Sequence, residues 1–125
     1  MIVQDYIMRQ ISEMIRVLLK LLFGVDVEEP SIDLLKEGEE RRLLRELFDR
    51  IDEGAIGEAE NRIAERTESG SREDLETALI FYSYLNLKSD GFLEQNGFDR
   101  EKIRSGLLRL AGRYGLEDMT DLLLQ

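Results

Sequence analysis

The amino-acid sequence predicts an all-α protein: antiparallel helical hairpins behind a long N-terminal amphipathic helix. Three observations lead there. From Asp5 to Phe23 the chain has neither Pro nor Gly, and Ile7, Ile11, Met14, Leu18 and Leu21 recur at alternating steps of four and three, a helical seam. Later apolar clusters recur at helical spacing and are separated by Gly- and Ser-containing breaks. A single Pro, few β-branched runs and no six-residue apolar–polar alternation bounded by turns leave little for strands.

The first helix is expected over residues 4–23, ended by Gly24 in a left-handed conformation. Met8, Ile15 and Leu22 widen its seam, and Val17, Leu19 and Phe23 fall partly outside it. A helix with so broad an apolar surface must be buried on more than one side or lie in a subunit interface. Residues 25–30 read as a linker, and Ser31 after Pro30 caps a short helix holding Ile32 and Leu35. Gly38 bends the chain, because glycine costs about 1 kcal/mol inside a helix. A stronger helix over 39–51 buries Leu43, Leu44, Leu47, Phe48 and Ile51, and Asp52-Glu53-Gly54 turns the chain.

The next helix, 55–66, turns Ile56, Ala59 and Ile63 inward, with small residues for close approach to a neighbour. Ser69-Gly70-Ser71 breaks the chain, and Ser71 with Asp74 resembles a capping box, with Asp in place of the usual Glu or Gln. The helix over 72–87 is apolar on two sides and so central: Leu75, Ala78, Leu79, Tyr82 and Leu85 form one stripe, Phe81 and Tyr84 another edge. Residues 89–97 read as a loop. Asp99 caps a helix over 100–114 that turns Ile103, Leu107, Leu110 and Ala111 inward, and a last helix covers 117–124. The chain, 1–125, is read as one domain: residues 1–24 a packing or oligomerisation helix, residues 31–125 the hairpin body.

Two resemblances add to this. Leu47, Gly54, Glu58 and Ala59 are spaced like the tight turn and small packing residue of a tetratricopeptide repeat, where Gly permits the turn and Ala lets two helices close up. The helix pair after Ser71 does not repeat the pattern, since its connection is longer and Gln95-Asn96 stands where Glu-Ala would. An irregular bundle is therefore the alternative architecture. Asp5-Tyr6-Ile7-Met8-Arg9-Gln10-Ile11, followed by Lys20-Leu21-Leu22-Phe23-Gly24, resembles the opening of a family of short bacterial helical proteins of unknown function, some described as tetratricopeptide-like. That resemblance covers about the first fifth of the chain. It implies a helical fold and a cytoplasmic location, and no activity.

Composition narrows the chemistry. The chain has no Cys and no His, which removes disulfides, thiol catalysis, thiolate metal sites, the commonest general base and the commonest zinc ligand. The net charge of −10 argues against nucleic-acid phosphates and anionic membranes as partners. Arg41, Arg42 and Arg45 come closest to a basic patch, but Glu37, Glu39, Glu40 and Glu46 surround them. Val17 to Phe23 is too short to span a bilayer and contains Lys20. Asp49, Asp52, Glu53, Glu58 and Glu60 gather at one turn, but without calcium-loop spacing they read as a solvated helix end. No Ser has a visible base, and Gly54-Ala55-Ile56-Gly57 lacks the ending of a phosphate loop.

The sequence therefore points to a cytoplasmic, non-enzymatic protein-interaction or scaffold module with no cofactor, no metal and no catalytic residue. Its expected interface is Ile7, Met8, Ile11, Met14, Ile15, Leu18, Leu19 and Leu22, which pack on the body and join a homodimer, with a further protein partner on the hairpins. On this reading Ile11→Asp with Leu18→Asp breaks the assembly. The alternative is a small-molecule-binding regulator or cryptic enzyme, its pocket between the Phe81–Tyr84 helix and the Ser89–Phe98 loop.

Overall fold

The structure is a computed structural model that describes residues 2–35 and 37–123; Leu124, the expected end of the last helix, lies outside them. Among the described residues there are seven α-helices and no strand. These are α1 (Ile2–Phe23), α2 (Glu39–Asp52), α3 (Ile56–Arg66), α4 (Arg72–Asn86), α5 (Asp90–Gln95), α6 (Arg100–Arg113) and α7 (Glu117–Leu123). One-turn 3-10 segments, Ile32–Leu34 and Thr67–Ser69, lead into α2 and out of α3.

The helix ends follow from local chemistry. Gly24 at φ 68° and Gly54 at φ 91° adopt the backbone region that side-chain-bearing residues avoid, so α1 stops and α2 turns back into α3. Ser31, Ser71, Ser89 and Asp99 each accept a backbone N–H from the first turn they precede, satisfying donors that the helix leaves orphaned. Ser89 shows that residues 89–97, read as a loop, contain a helix, α5.

Paired side chains give the direction of each helix. Arg50 meets Glu58, Glu46 meets Arg62, and Glu40 meets Arg66, so α2 and α3 are antiparallel. Arg100 bonds Asn86, and Tyr114 bonds the Ser71 carbonyl, so α4 and α6 are antiparallel as well. The two hairpins stack in the same sense: Glu40–Thr77, Phe48–Tyr84 and Asp52–Lys88 rise together along α2 and α4. Glu60–Arg109 and Thr67–Arg113 do the same along α3 and α6.

Helix α4 packs on α1, α2, α3 and α6. That position explains why Ala78, Leu79, Ile80 and Phe81 are buried in succession: mid-helix α4 has neighbours on every side, while Arg72 and Glu73 at its start stay exposed. Helix α1 lies across α4 and α6, with α7 alongside. It runs antiparallel to α4, since Asn86 meets Met8 and Ser12 while Arg72 meets Leu22 and Phe23. Ile11, Met14, Ile15, Leu18 and Leu19 are at most 1% exposed and Ile7 4%. Each such burial contributes roughly 2 kcal/mol, so α1 is part of the single core.

Candidate functional site

Six of the eight expected interface residues, Ile7, Ile11, Met14, Ile15, Leu18 and Leu19, lie inside the chain's own core; Met8 and Leu22 are half-buried. The breadth of apolar surface that invited a second copy is covered by α4, α6 and α7 of the same chain. Among its described apolar side chains, α1 turns outward Tyr6, 53% exposed, and Leu21, 63% exposed, with half-buried Val17 between them. Ile11→Asp and Leu18→Asp would therefore place an uncompensated carboxylate in the core, and they report on folding before association.

The residues expected to share one pocket are divided between two places. Asp90, Leu93, Glu94, Gly97, Phe98, Asp99 and Lys102 surround a cavity of about 400 Å³ beside α5. Its walls are structurally occupied: Asp99 caps α6, Lys102 donates to the Gly97 carbonyl at 2.8 Å, and Asp90 pairs with buried Arg100. Phe81 is fully buried, and Tyr82 lines a different cavity, between α3, α4 and α6.

That second cavity, about 150 Å³, is lined by Glu60, Asn61, Ile63, Ala64, Thr67, Tyr82, Gly106, Arg109, Leu110 and Arg113. Tyr82 is 4% exposed and its hydroxyl donates to Glu60 Oε2 at 2.9 Å. Burial, and then the Glu60 carboxylate, push the Tyr82 hydroxyl far above its ordinary pKa, so it stays a donor. Gly106 makes the pair possible. A Cβ there would sit 2.7 Å from the Tyr82 hydroxyl and clash with Glu60 Oε2. Arg113 donates to the Ala64 carbonyl at 2.5 Å and to Thr67 Oγ1 at 3.1 Å, closing the last turn of α3.

A third feature is a surface shelf along α2, α4 and α5. Phe48 and Tyr84 stack with centroids 3.9 Å apart and planes 10° apart. Tyr84 donates to Asp52 at 2.7 Å, and Lys88 pairs with the same carboxylate while lying over the rings of Tyr84 and Phe92. Burial pushes the Asp52 pKa up, but the bonds from Lys88 and Tyr84 outweigh it and hold the carboxyl below its usual range. Leu87, one turn on from Tyr84, is 50% exposed.

The sequence pattern of a family of unknown function, DUF6483, matches residues 1–115. The chain belongs to that family. No curated protein and no solved structure matches it at a significant level. The match extends the resemblance of the first fifth of the chain over both hairpins, so in this DUF6483 member the shelf and both cavities fall within the shared region.

Among the described residues of this DUF6483 chain, no group of three or more carboxylates is placed to hold a metal ion, and no helix is long and apolar enough to cross a membrane. The acidic cluster at the α2–α3 turn disperses: Glu58 pairs with Arg50, Asp52 with Lys88, and Glu60 turns to Tyr82. Glu60 and Tyr82 are visible in the sequence as separate features and become one only through the α3–α4 packing. Arg109 and Arg113 carry no signal of their own in the sequence. Gly106 was the available signal, an isolated glycine in the middle of an apolar-periodic helix, where it is costly without a packing reason.

Proposed function

We propose that this chain is a non-enzymatic, cytoplasmic protein-interaction module that receives a segment of another protein on the α2–α4–α5 shelf. The observation that supports it is the Phe48–Tyr84 stack at 3.9 Å, pinned by Asp52 and Lys88 beside exposed Leu87. Aromatic side chains already held in place lose little conformational freedom when a partner docks, so their contact area converts efficiently into affinity. Two helical hairpins stacked in the same sense, resembling a tetratricopeptide pair, give the shelf a stiff base. The net charge of −10 favours a segment with basic residues flanking its apolar anchor.

Selection from a random-peptide display library tests this. The expected result is an enriched motif with one large apolar residue and nearby Lys or Arg, its binding reduced about tenfold or more by Leu87→Glu or Tyr84→Ala. Failure to enrich any motif, or binding unaffected by both substitutions, would overturn it.

Self-association belongs to the same proposal, moved outward: a second copy would meet Tyr6, Val17 and Leu21 on α1. Sedimentation velocity should show a concentration-dependent dimer that Tyr6→Glu with Leu21→Glu abolishes while the helical content is retained. A wild type that stays monomeric at high micromolar concentration removes the dimer and leaves the shelf untouched.

A further inference from the structure

The cavity between α3, α4 and α6 is built at a cost that packing alone does not require. An aliphatic residue at position 60, Phe at 82 and Ala at 106 would fill the same space with apolar contacts. The chain instead keeps a glycine in the interior of α6, a buried tyrosine hydroxyl and a Glu60 side chain only 16% exposed. Glycine and a desolvated carboxylate both weaken a fold unless something else is gained.

The walls carry both signs of charge. Glu60, fixed by Tyr82 at 2.9 Å, offers a carboxylate at the inner wall. Arg109 has a side chain 68% exposed, and its Nη2 stands 3.7 Å from Glu60 Oε2, longer than a hydrogen bond. It is an exposed cation at the mouth, loosely paired with Glu60, whereas Arg113 is committed to the end of α3. Ile63, Ala64 and Leu110 supply a small apolar wall, and Asn61 adds an amide. A volume of about 150 Å³ matches a cavity that holds a benzene-sized molecule, so the occupant has only a handful of heavy atoms.

We propose that this cavity binds a small zwitterion, an α-amino acid with a short aliphatic side chain. Its ammonium group pairs with Glu60, its carboxylate with Arg109, and its side chain lies against Ile63, Ala64 and Leu110. An α-amino acid carries its two charges on adjacent carbons, matching two protein charges one side chain apart. A singly charged ligand would engage only one of the two. This site is distinct from the α2–α4–α5 shelf, and either proposal stands without the other.

Isothermal titration calorimetry and thermal shift with L-alanine and L-valine test it, with propionate and isobutylamine as singly charged comparators. Saturable binding with a dissociation constant on the order of 0.1–1 mM is expected for so small a ligand. The comparators should bind about tenfold more weakly or not at all, and Arg109→Ala, at an exposed side chain, should lower affinity about tenfold while cooperative thermal unfolding is retained. Glu60→Gln should lose the preference for the ammonium-bearing ligand. Absence of saturable heat for both amino acids, or equal binding by Arg109→Ala, or equal binding of propionate, would overturn the proposal.

Discussion

Asp74 and Glu76, two residues apart on α4, respond to pH in opposite directions. Burial pushes Asp74 up, but the Ser71 and Ser69 hydrogen bonds and the Arg66 guanidinium more than offset it, so its pKa lies below the ordinary 3.8. A depressed carboxylate stabilises the fold above its unfolded pKa, and that contribution is lost as pH falls through the folded value. Burial raises Glu76 above its ordinary 4.5, and Arg72 offsets this only in part. Its contribution is present below the unfolded pKa and lost as pH rises through the folded one, so at neutral pH the ionised group weakens the fold. Asp74→Asn should therefore lower the urea midpoint at pH 7, and Glu76→Gln should raise it. Both differences should fade as the pH falls through the carboxylate range, that of Asp74 last because its folded pKa is depressed. The same logic of burial governs Asn86, 1% exposed, whose amide donates to the Met8 carbonyl at 3.0 Å and to Ser12 at 3.1 Å. Its carbonyl oxygen accepts from Arg100, itself 2% exposed. Asn86→Leu removes the side-chain bonds to the Met8 carbonyl and Ser12 that tie α4 to α1, while Arg100 keeps the Asn86 backbone carbonyl, and should cost about 2 kcal/mol in urea unfolding. Neither residue was legible as a core group, since Asn at the end of an apolar stripe reads as a helix stop and Arg after Asp99 as a solvated first turn.

Helices long enough to repeat their apolar period were legible. The expected 4–23, 39–51, 55–66, 72–87, 100–114 and 117–124 fall within two residues of α1, α2, α3, α4, α6 and, at its described start, α7. Helix α5 was missed because its six residues complete fewer than two turns and include Gly91, so periodicity has nothing to act on. Its one local signal was Ser89, whose Oγ accepts from Phe92 N at 3.1 Å. Ser89→Ala should cost about 1 kcal/mol and raise hydrogen exchange across α5 more than elsewhere. Gly54 marks the α2–α3 turn in the sequence, but not the side chain that packs on it. A Cβ at Gly54 would collide with the Asn96 side chain at the end of α5, and the φ of 91° is strained for alanine in any case. Gly54→Ala should therefore lower the melting temperature, and Asn96→Ala in the same chain should recover only the steric part of the loss. The candidate sites show the same division. Phe81, Tyr82 and Tyr84 stand out in the sequence as aromatics on one helix, yet packing buries Phe81, sends Tyr82 into the α3–α4–α6 cavity and Tyr84 to a surface stack.

At the scale of the whole molecule, the direction of α1 decides how the hairpins end. Helices α2 and α4 run parallel, so a further hairpin stacked in the same sense would continue with a helix parallel to α4. Helix α1 lies across α4 and α6 but runs antiparallel to α4. It closes the stack instead of extending it. The width of its apolar seam is the consequence, because one helix covers surface contributed by α4, α6 and α7. No local pattern distinguishes this from burial by a second copy, since both demand the same excess of apolar residues; only the positions of α4 and α6 do. The body over residues 31–125 then lacks a wall of its core when α1 is removed. A chain starting at residue 31 should lose cooperative thermal unfolding and bind a dye for exposed apolar surface, while α2 and α3 keep part of their helicity. Adding a peptide of residues 1–24 in trans should restore a cooperative transition, in one-to-one stoichiometry, and Leu18→Asp in that peptide should abolish the rescue. A truncated body that melts cooperatively by itself would show that α1 is an appendage, and would return its apolar face to the service of association.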